Sequence, residues 1–133
     1  MSSLQIGIIL VDHGSKMHAA NEMLKEVADM FATQTGAAIV EIAHMELAEP
    51  TLAYAFARCV ERGAQTIVIH PYFLSPGRHS MRDIPQLAAE AALAHPCVQY
   101  RVTQPLGLDV RIAEVIQRRI DEALAGGHDN LAG

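Results

Sequence analysis

Short apolar runs alternate with longer amphipathic stretches along the whole chain. Residues 5–11 (QIGIILV) are almost wholly apolar and rich in β-branched side chains, the pattern of a strand covered on both faces. Residues 38–43, 66–70 (TIVIH) and 98–102 repeat that signal, and 66–70 is the clearest of the four. Between them the period lengthens. Residues 17–35 place Met23, Leu24, Val27, Met30 and Phe31 at helical spacing, and Gly36 stands where a left-handed C-terminal cap belongs. On that period Met23 and Met30 are expected in the core. Pro50 predicts a helix start that runs through Val60, with Gly63 stopping it. Residues 82–94 and 109–124 predict two more helices, the last with Asp109 as N-cap.

Four βα units in succession predict an α/β domain built on a parallel sheet with right-handed crossovers. Flavodoxin-like double winding gives strand order 2-1-3-4, with helices on both faces. The expected organisation is one domain over 4–125 and a frayed tail over 126–133. The switch point falls between strands one and three, and open sheets of this kind bind ligands beyond the carboxyl ends of their strands.

The 133 residues are 50% apolar and 19% charged, an ordinary composition for a folded domain. Ten Lys and Arg against fifteen Asp and Glu leave a formal charge of -5, which opposes nucleic-acid binding. Two cysteines, Cys59 and Cys97, make no disulfide framework and are expected to be buried as small apolar residues. No apolar run nears the ~20 residues of a membrane span, and no signal peptide is evident. The expectation is a soluble, cytoplasmic domain.

The strand ends carry the chemistry. Asp12-His13-Gly14-Ser15 follows strand one, His44-Met45-Glu46-Leu47-Ala48-Glu49-Pro50 follows strand two, and residues 70–79 (HPYFLSPGRH) follow strand three. Imidazole titrates near neutrality and ligates first-row metals, so histidines gathered at one sheet edge suggest metal binding or proton transfer. The first loop is neither a Walker loop nor GxGxxG, there is no GxSxG elbow, and no CxxC, HExxH or EF-hand spacing occurs. An open site with His and carboxylate ligands from different loops remains.

These residues carry a resemblance. VDHGS, AHMELAEP and PYFLSPGRHSMRDIP, in that order and spacing, resemble the small sirohydrochlorin chelatases of the CbiX/SirB type, the class II chelatases of sirohaem and cobalamin synthesis. DHGS, AHMELAEP and FLSPGRH are closest in wording to the plant-type ferrochelatases. The resemblance implies a chelatase fold and an ATP-independent lyase that inserts Co2+ or Fe2+, with Ni2+ a further option, into sirohydrochlorin. It implies His13 as metal ligand and proton acceptor, His79 as second ligand, and Glu49 in substrate contact or proton removal, with Glu46 the other candidate. The loop Leu74, Ser75, Pro76, Gly77, Arg78 and His79 is expected to line the tetrapyrrole. No organic cofactor is expected, nor an iron–sulfur cluster, because the cysteine-bearing extension of the plant-type proteins is missing. Short members of the family are homodimers, which implies a homodimer here, without nucleic-acid or membrane partners.

Metal insertion removes two pyrrole protons while four ring nitrogens replace the ion's ligands. Two imidazoles from different loops hold an ion loosely enough to hand it on, and a neutral His can accept a proton at cellular pH. The substrate carries eight carboxylates, so local charge must depart from the net charge. Arg78 and Arg82, beside the start of the third helix, are the expected partners for those arms. His70 is expected as a hydrogen-bonded wall residue, and His44 either joins the cleft or orients Glu46. His18 and His95 are expected on the surface, and His128 in the tail. Tyr54 and Phe56 are expected to pack the second helix. The rival reading is a metal or tetrapyrrole carrier on the same scaffold, which would have no need of a carboxylate proton acceptor.

Overall fold

The computed structural model describes residues 5–126. The elements run β1 (Ile6–Asp12), α1 (His18–Thr35), β2 (Ile39–His44), α2 (Leu52–Glu61), β3 (Thr66–Pro71), α3 (Ile84–Ala92), β4 (Gln99–Val102) and α4 (Val110–Ala125). The strands form one parallel sheet in the order β2-β1-β3-β4, as the alternating pattern predicts. Asp12 pairs with His44, and Val11 with Pro71, so the three strand ends finish level at one edge.

The sheet has two unequal sides. Ile9 and Val11 of β1 and Ile67 and Ile69 of β3 face α2 and α3, where Phe56, Cys59, Ile84 and Ala88 close the main core. Phe56 is fully buried, and burying one such side chain contributes roughly 1.5–3 kcal/mol. On the other side Leu10 packs with Leu24 and Ala28 of α1 in a smaller cluster. There α1 lies over β2 and β1, while the β3–β4 half shows half-buried Val68 and His70 and exposed Arg101.

Several sequence expectations shift in detail. Gly36 caps α1 in the left-handed region, and Asp109 caps α4 by accepting from the Arg111 N–H. Pro50 lies ahead of α2: Thr51 is the cap, its hydroxyl accepting from the Tyr54 N–H, because that hydroxyl satisfies an otherwise orphaned donor. The third helix starts earlier than predicted, with a π turn over His79–Asp83 that leads into α3. Met23 and Met30 are exposed rather than core, because α1 rests on one edge of the sheet and buries only the narrow stripe of Leu24 and Ala28. Tyr54 is likewise exposed while Phe56 takes the buried position on α2. The 16-residue α4 buries none of its residues. His128 and nearly all of the expected tail lie outside the described residues.

Candidate active site

At the level strand ends two loops are laced together. The Met45 N–H donates to the Asp12 carbonyl (2.9 Å) and the Glu46 N–H to the His13 carbonyl (3.1 Å), which continues the β1–β2 ladder past the sheet. Gly14 makes this possible: its φ is +95°, and a Cβ there would stand 1.9 Å from the Glu46 carbonyl oxygen. Ser15 and Asn21 exchange two hydrogen bonds (3.0 and 2.7 Å) that tie the loop to α1. Beneath it, buried His44 meets the Asp12 carboxylate through Nδ1 at 2.5 Å.

This lacing sets His13 against Glu46, Nε2 to Oε2 at 3.1 Å. His79 arrives from the third loop, its ring centroid 4.8 Å from that of His13. Phe73 stacks against His79 at 6.3 Å, and the Asp83 carboxylate bonds His79 Nδ1 at 3.0 Å. A neutral His79 that donates Nδ1–H to Asp83 keeps its lone pair on Nε2, the usual arrangement of a histidine prepared to ligate a metal. His13 and Glu46 are bonded directly to each other, and among the described residues no three His, Cys, Asp or Glu side chains are grouped so that they could hold a metal ion. The set is an open one: two imidazoles and a carboxylate from three loops.

The structure separates the two acidic candidates. Glu46 meets His13, whereas Glu49 lines a cavity of about 470 Å3 between α1 and β2, with His18, Lys25 and His44 among its walls. Leu74, Ser75, Pro76, Gly77 and Arg78 are all exposed around the third loop, and so is Arg82 one turn further on. Neither arginine forms a salt bridge among the described residues. His44 supports the Asp12 end of the first loop instead of facing the His13–His79 gap. His70 is a half-buried wall residue whose Nδ1 meets the Thr103 hydroxyl at 2.8 Å, and burial pushes its pKa below the ordinary histidine value.

His18 is exposed near Glu22, as expected, whereas His95 stacks on Phe56 at 5.6 Å. Cys59 is buried and its thiol pKa is pushed up to about 12, chiefly by desolvation. Cys97 is exposed, contrary to expectation, because it precedes β4 in a surface turn. Sequence reasoning missed Asp83, Asp12 and Phe73. Asp83 was readable in principle, four residues beyond His79 on what became one helical turn.

The family model described as CbiX matches residues 7–123. The chain belongs to the CbiX family. Among curated relatives, the chloroplastic sirohydrochlorin ferrochelatase of Arabidopsis thaliana is 48% identical over 90% of this chain and 53% of its own. The sirohydrochlorin cobaltochelatase of Methanopyrus kandleri is 32% identical over 90% of this chain and 97% of its own. Among solved structures, the sirohydrochlorin chelatase SirB from Bacillus subtilis subspecies spizizenii, in complex with cobalt, superposes with a TM-score of 0.84 at 28% identity, over 90% of this chain and 51% of SirB. A putative cobalamin-biosynthesis CbiX protein from Marinobacter aquaeolei gives a TM-score of 0.75 at 30% identity, over 90% of this chain and 97% of that one. This CbiX-family chain thus spans about half the length of the Arabidopsis and Bacillus relatives and nearly all of the other two.

Proposed function

We propose that this protein inserts a divalent first-row metal, Co2+ or Fe2+, into sirohydrochlorin. The observation that carries the reading is the meeting of His13, Glu46 and His79 at one sheet edge in a CbiX-family chain whose relatives are named as chelatases of this substrate. His79 Nε2 would present the ion, and His13 Nε2 would join it once its bond to Glu46 is released, leaving Glu46 to offset the ion's charge. Each insertion exchanges one M2+ for two pyrrole protons, so charge is conserved. Glu46, released from His13 as the ion binds, and then His13, freed as the ion leaves for the macrocycle, are the groups we assign to accept those protons. Leu47 of the second loop, Leu74 of the third and Met81 of the π turn that follows it, all exposed, give an apolar rest for the macrocycle, and Arg78 and Arg82 pair with its carboxylate arms.

The reading includes a homodimer, because three open loops reach only one face of a macrocycle. It also includes work in the cytoplasm, in keeping with the free thiols of Cys59 and Cys97. Among the described residues no helix is long and apolar enough to cross a membrane. No organic cofactor or iron–sulfur cluster enters the mechanism, and added ATP should leave the rate unchanged.

Anaerobic absorbance titration with sirohydrochlorin and each metal tests the proposal. Metal-dependent spectral conversion is expected, and Glu46→Gln should slow it at least tenfold while Glu49→Gln stays within about twofold of wild type. Tight binding without conversion would point to a carrier, and absence of binding would overturn both readings. A Glu49→Gln loss larger than that of Glu46→Gln would move the proton acceptor to the α1–β2 cavity.

A further inference from the structure

Asp83 stands at the junction of the π turn and α3, where an acidic residue usually caps a helix. It does not cap this one. Its side chain accepts from no main-chain N–H of α3, and among the described residues its one side-chain hydrogen bond is with His79 Nδ1, at 3.0 Å. The turn between them is closed by the Ile84 N–H, which donates to the His79 carbonyl five residues back. Turns of this width are rare in helices and are found mostly at functional sites.

The rest of the third loop fixes the His79 main chain and leaves the ring to be set. Ser80 is buried, its hydroxyl accepts from the Gly77 N–H (3.0 Å), and the Met81 N–H donates to the Gly77 carbonyl (2.8 Å). Phe73 stacks on the His79 ring and His13 meets it edge-on, contacts that limit its tilt but are blind to which nitrogen carries the proton. An imidazole in water favours the Nε2–H form, which cannot ligate through Nε2. A carboxylate at Nδ1 reverses that preference. His13 is set differently: its Nδ1 meets the Gly14 carbonyl at a longer 3.3 Å, and Glu46 holds its Nε2.

We propose that Asp83 is a positioning residue for metal capture: its bond to His79 Nδ1 keeps the Nε2 lone pair free, so that His79 receives the ion without any rearrangement of its own. The inference rests on the metal-insertion reading and adds the group that prepares its first ligand. Asp83 acts through His79 and does not touch the ion. Asp83 and Glu46 do line one cavity of about 260 Å3, yet among the described residues no three His, Cys, Asp or Glu side chains are grouped to hold a metal. Direct ligation by Asp83 is therefore the rival to be separated by experiment. The two side chains are 47% and 33% exposed, so water competes with their bond and the effect on affinity falls at the low end of the ~10–100-fold usual for such partners.

Calorimetric titration of the full chain with Co2+ alone, and long-range proton–nitrogen NMR spectra of its histidine rings in mildly alkaline buffer without metal, test this. Wild-type His79 should show the Nδ1–H pattern, assigned by its loss in His79→Gln. Asp83→Ala should shift it to Nε2–H and weaken Co2+ binding about tenfold, with far-ultraviolet circular dichroism unchanged. Asp83→Asn, whose amide oxygen still accepts from Nδ1–H, should keep the tautomer and lose no more than about threefold. Should the alanine variant lose its helix, Asp83→Ser, a good cap too short to reach His79, should give the same shift and the same loss. An Asp83→Asn variant as weak as Asp83→Ala would make Asp83 a ligand or a bare charge and overturn the inference. So would a wild-type His79 in the Nε2–H form, a wild type with no affinity for Co2+, or a tautomer or affinity indifferent to both Asp83→Ala and Asp83→Ser. A chain that meets every expectation for Asp83 yet converts no sirohydrochlorin would count against the chelatase reading alone.

Discussion

Replacing Gly14 with alanine should damage the reaction far more than the fold. A Cβ at this position would stand 1.9 Å from the Glu46 carbonyl oxygen, and unstrained carbon–oxygen contacts begin more than an ångström further out. The second loop must retreat by about 1 Å or more, which stretches the 3.1 Å bond from the Glu46 N–H to the His13 carbonyl beyond useful length. Losing that bond costs about 0.5–1.5 kcal/mol net. Holding alanine at a positive φ adds about 1–3 kcal/mol. Together they come to about 2–4 kcal/mol, a drop in Tm on the order of 10 °C for a chain of this size. The catalytic effect is steeper, since His13 and Glu46 must move apart and a 1 Å misplacement of reacting groups can cost ~100-fold in rate. Metal insertion followed by absorbance, alongside a thermal melt by circular dichroism, measures both. A variant that melts well below wild type yet inserts metal at the wild-type rate would show that the lacing of the two loops does not position the site. One that neither melts early nor slows would refute the steric argument itself.

Arg78→Gln and Arg82→Gln should each raise KM with kcat little changed, because the lost contact is made equally in ground and transition states. A charge-assisted bond is worth about 1.5–3 kcal/mol, and solvent at these exposed positions draws the effect toward the low end, about tenfold; salt should narrow the gap to wild type. Steady-state kinetics at two ionic strengths decides it, and a collapse of kcat at constant KM would reassign these arginines to the metal-transfer step. His70 titrates below its ordinary value in the fold, so the unfolded chain takes up its proton first and His70 opposes stability as pH falls through about 6.5 toward the lower folded value. His70→Gln should therefore flatten that part of the stability–pH curve in urea melts across pH 5–8, whereas an unchanged slope would mean that His70 contributes nothing to it.

What the sequence made legible follows from which forces are local. Strand runs such as TIVIH and the caps Gly36 and Asp109 depend on neighbours a few residues away, and those features stand where the pattern predicts them. The sheet order needed only the handedness of βα units, and it in turn brought His13, Glu46 and His79 to one edge before any contact was known. The choice between Glu46 and Glu49 was different. The two lie three residues apart in one loop, and which of them meets His13 depends on the main-chain bonds from Met45 and Glu46 to the first loop, bonds that exist only because Gly14 leaves room. Asp12 against His44 is a matter of strand register, invisible in a linear reading until the ladder is drawn.

Burial was misjudged where an amphipathic pattern says that a face is covered without saying by what. Met23 and Met30 share the period of Leu24 and Ala28, yet α1 rests on the β1–β2 edge, which is wide enough for only one of the two stripes. α4 is the stronger case. Its repeat from Ile112 to Leu124 is as regular as that of any core helix, and among the described residues it buries none of its side chains. Periodicity measures how much apolar surface must leave water, and whether the covering body is the helix's own sheet or another chain is decided by the length and direction of the link from β4. Here that link is pinned to the third loop by the N–H groups of Leu106 and Gly107, which fixes where α4 departs from the loop that leads to His79.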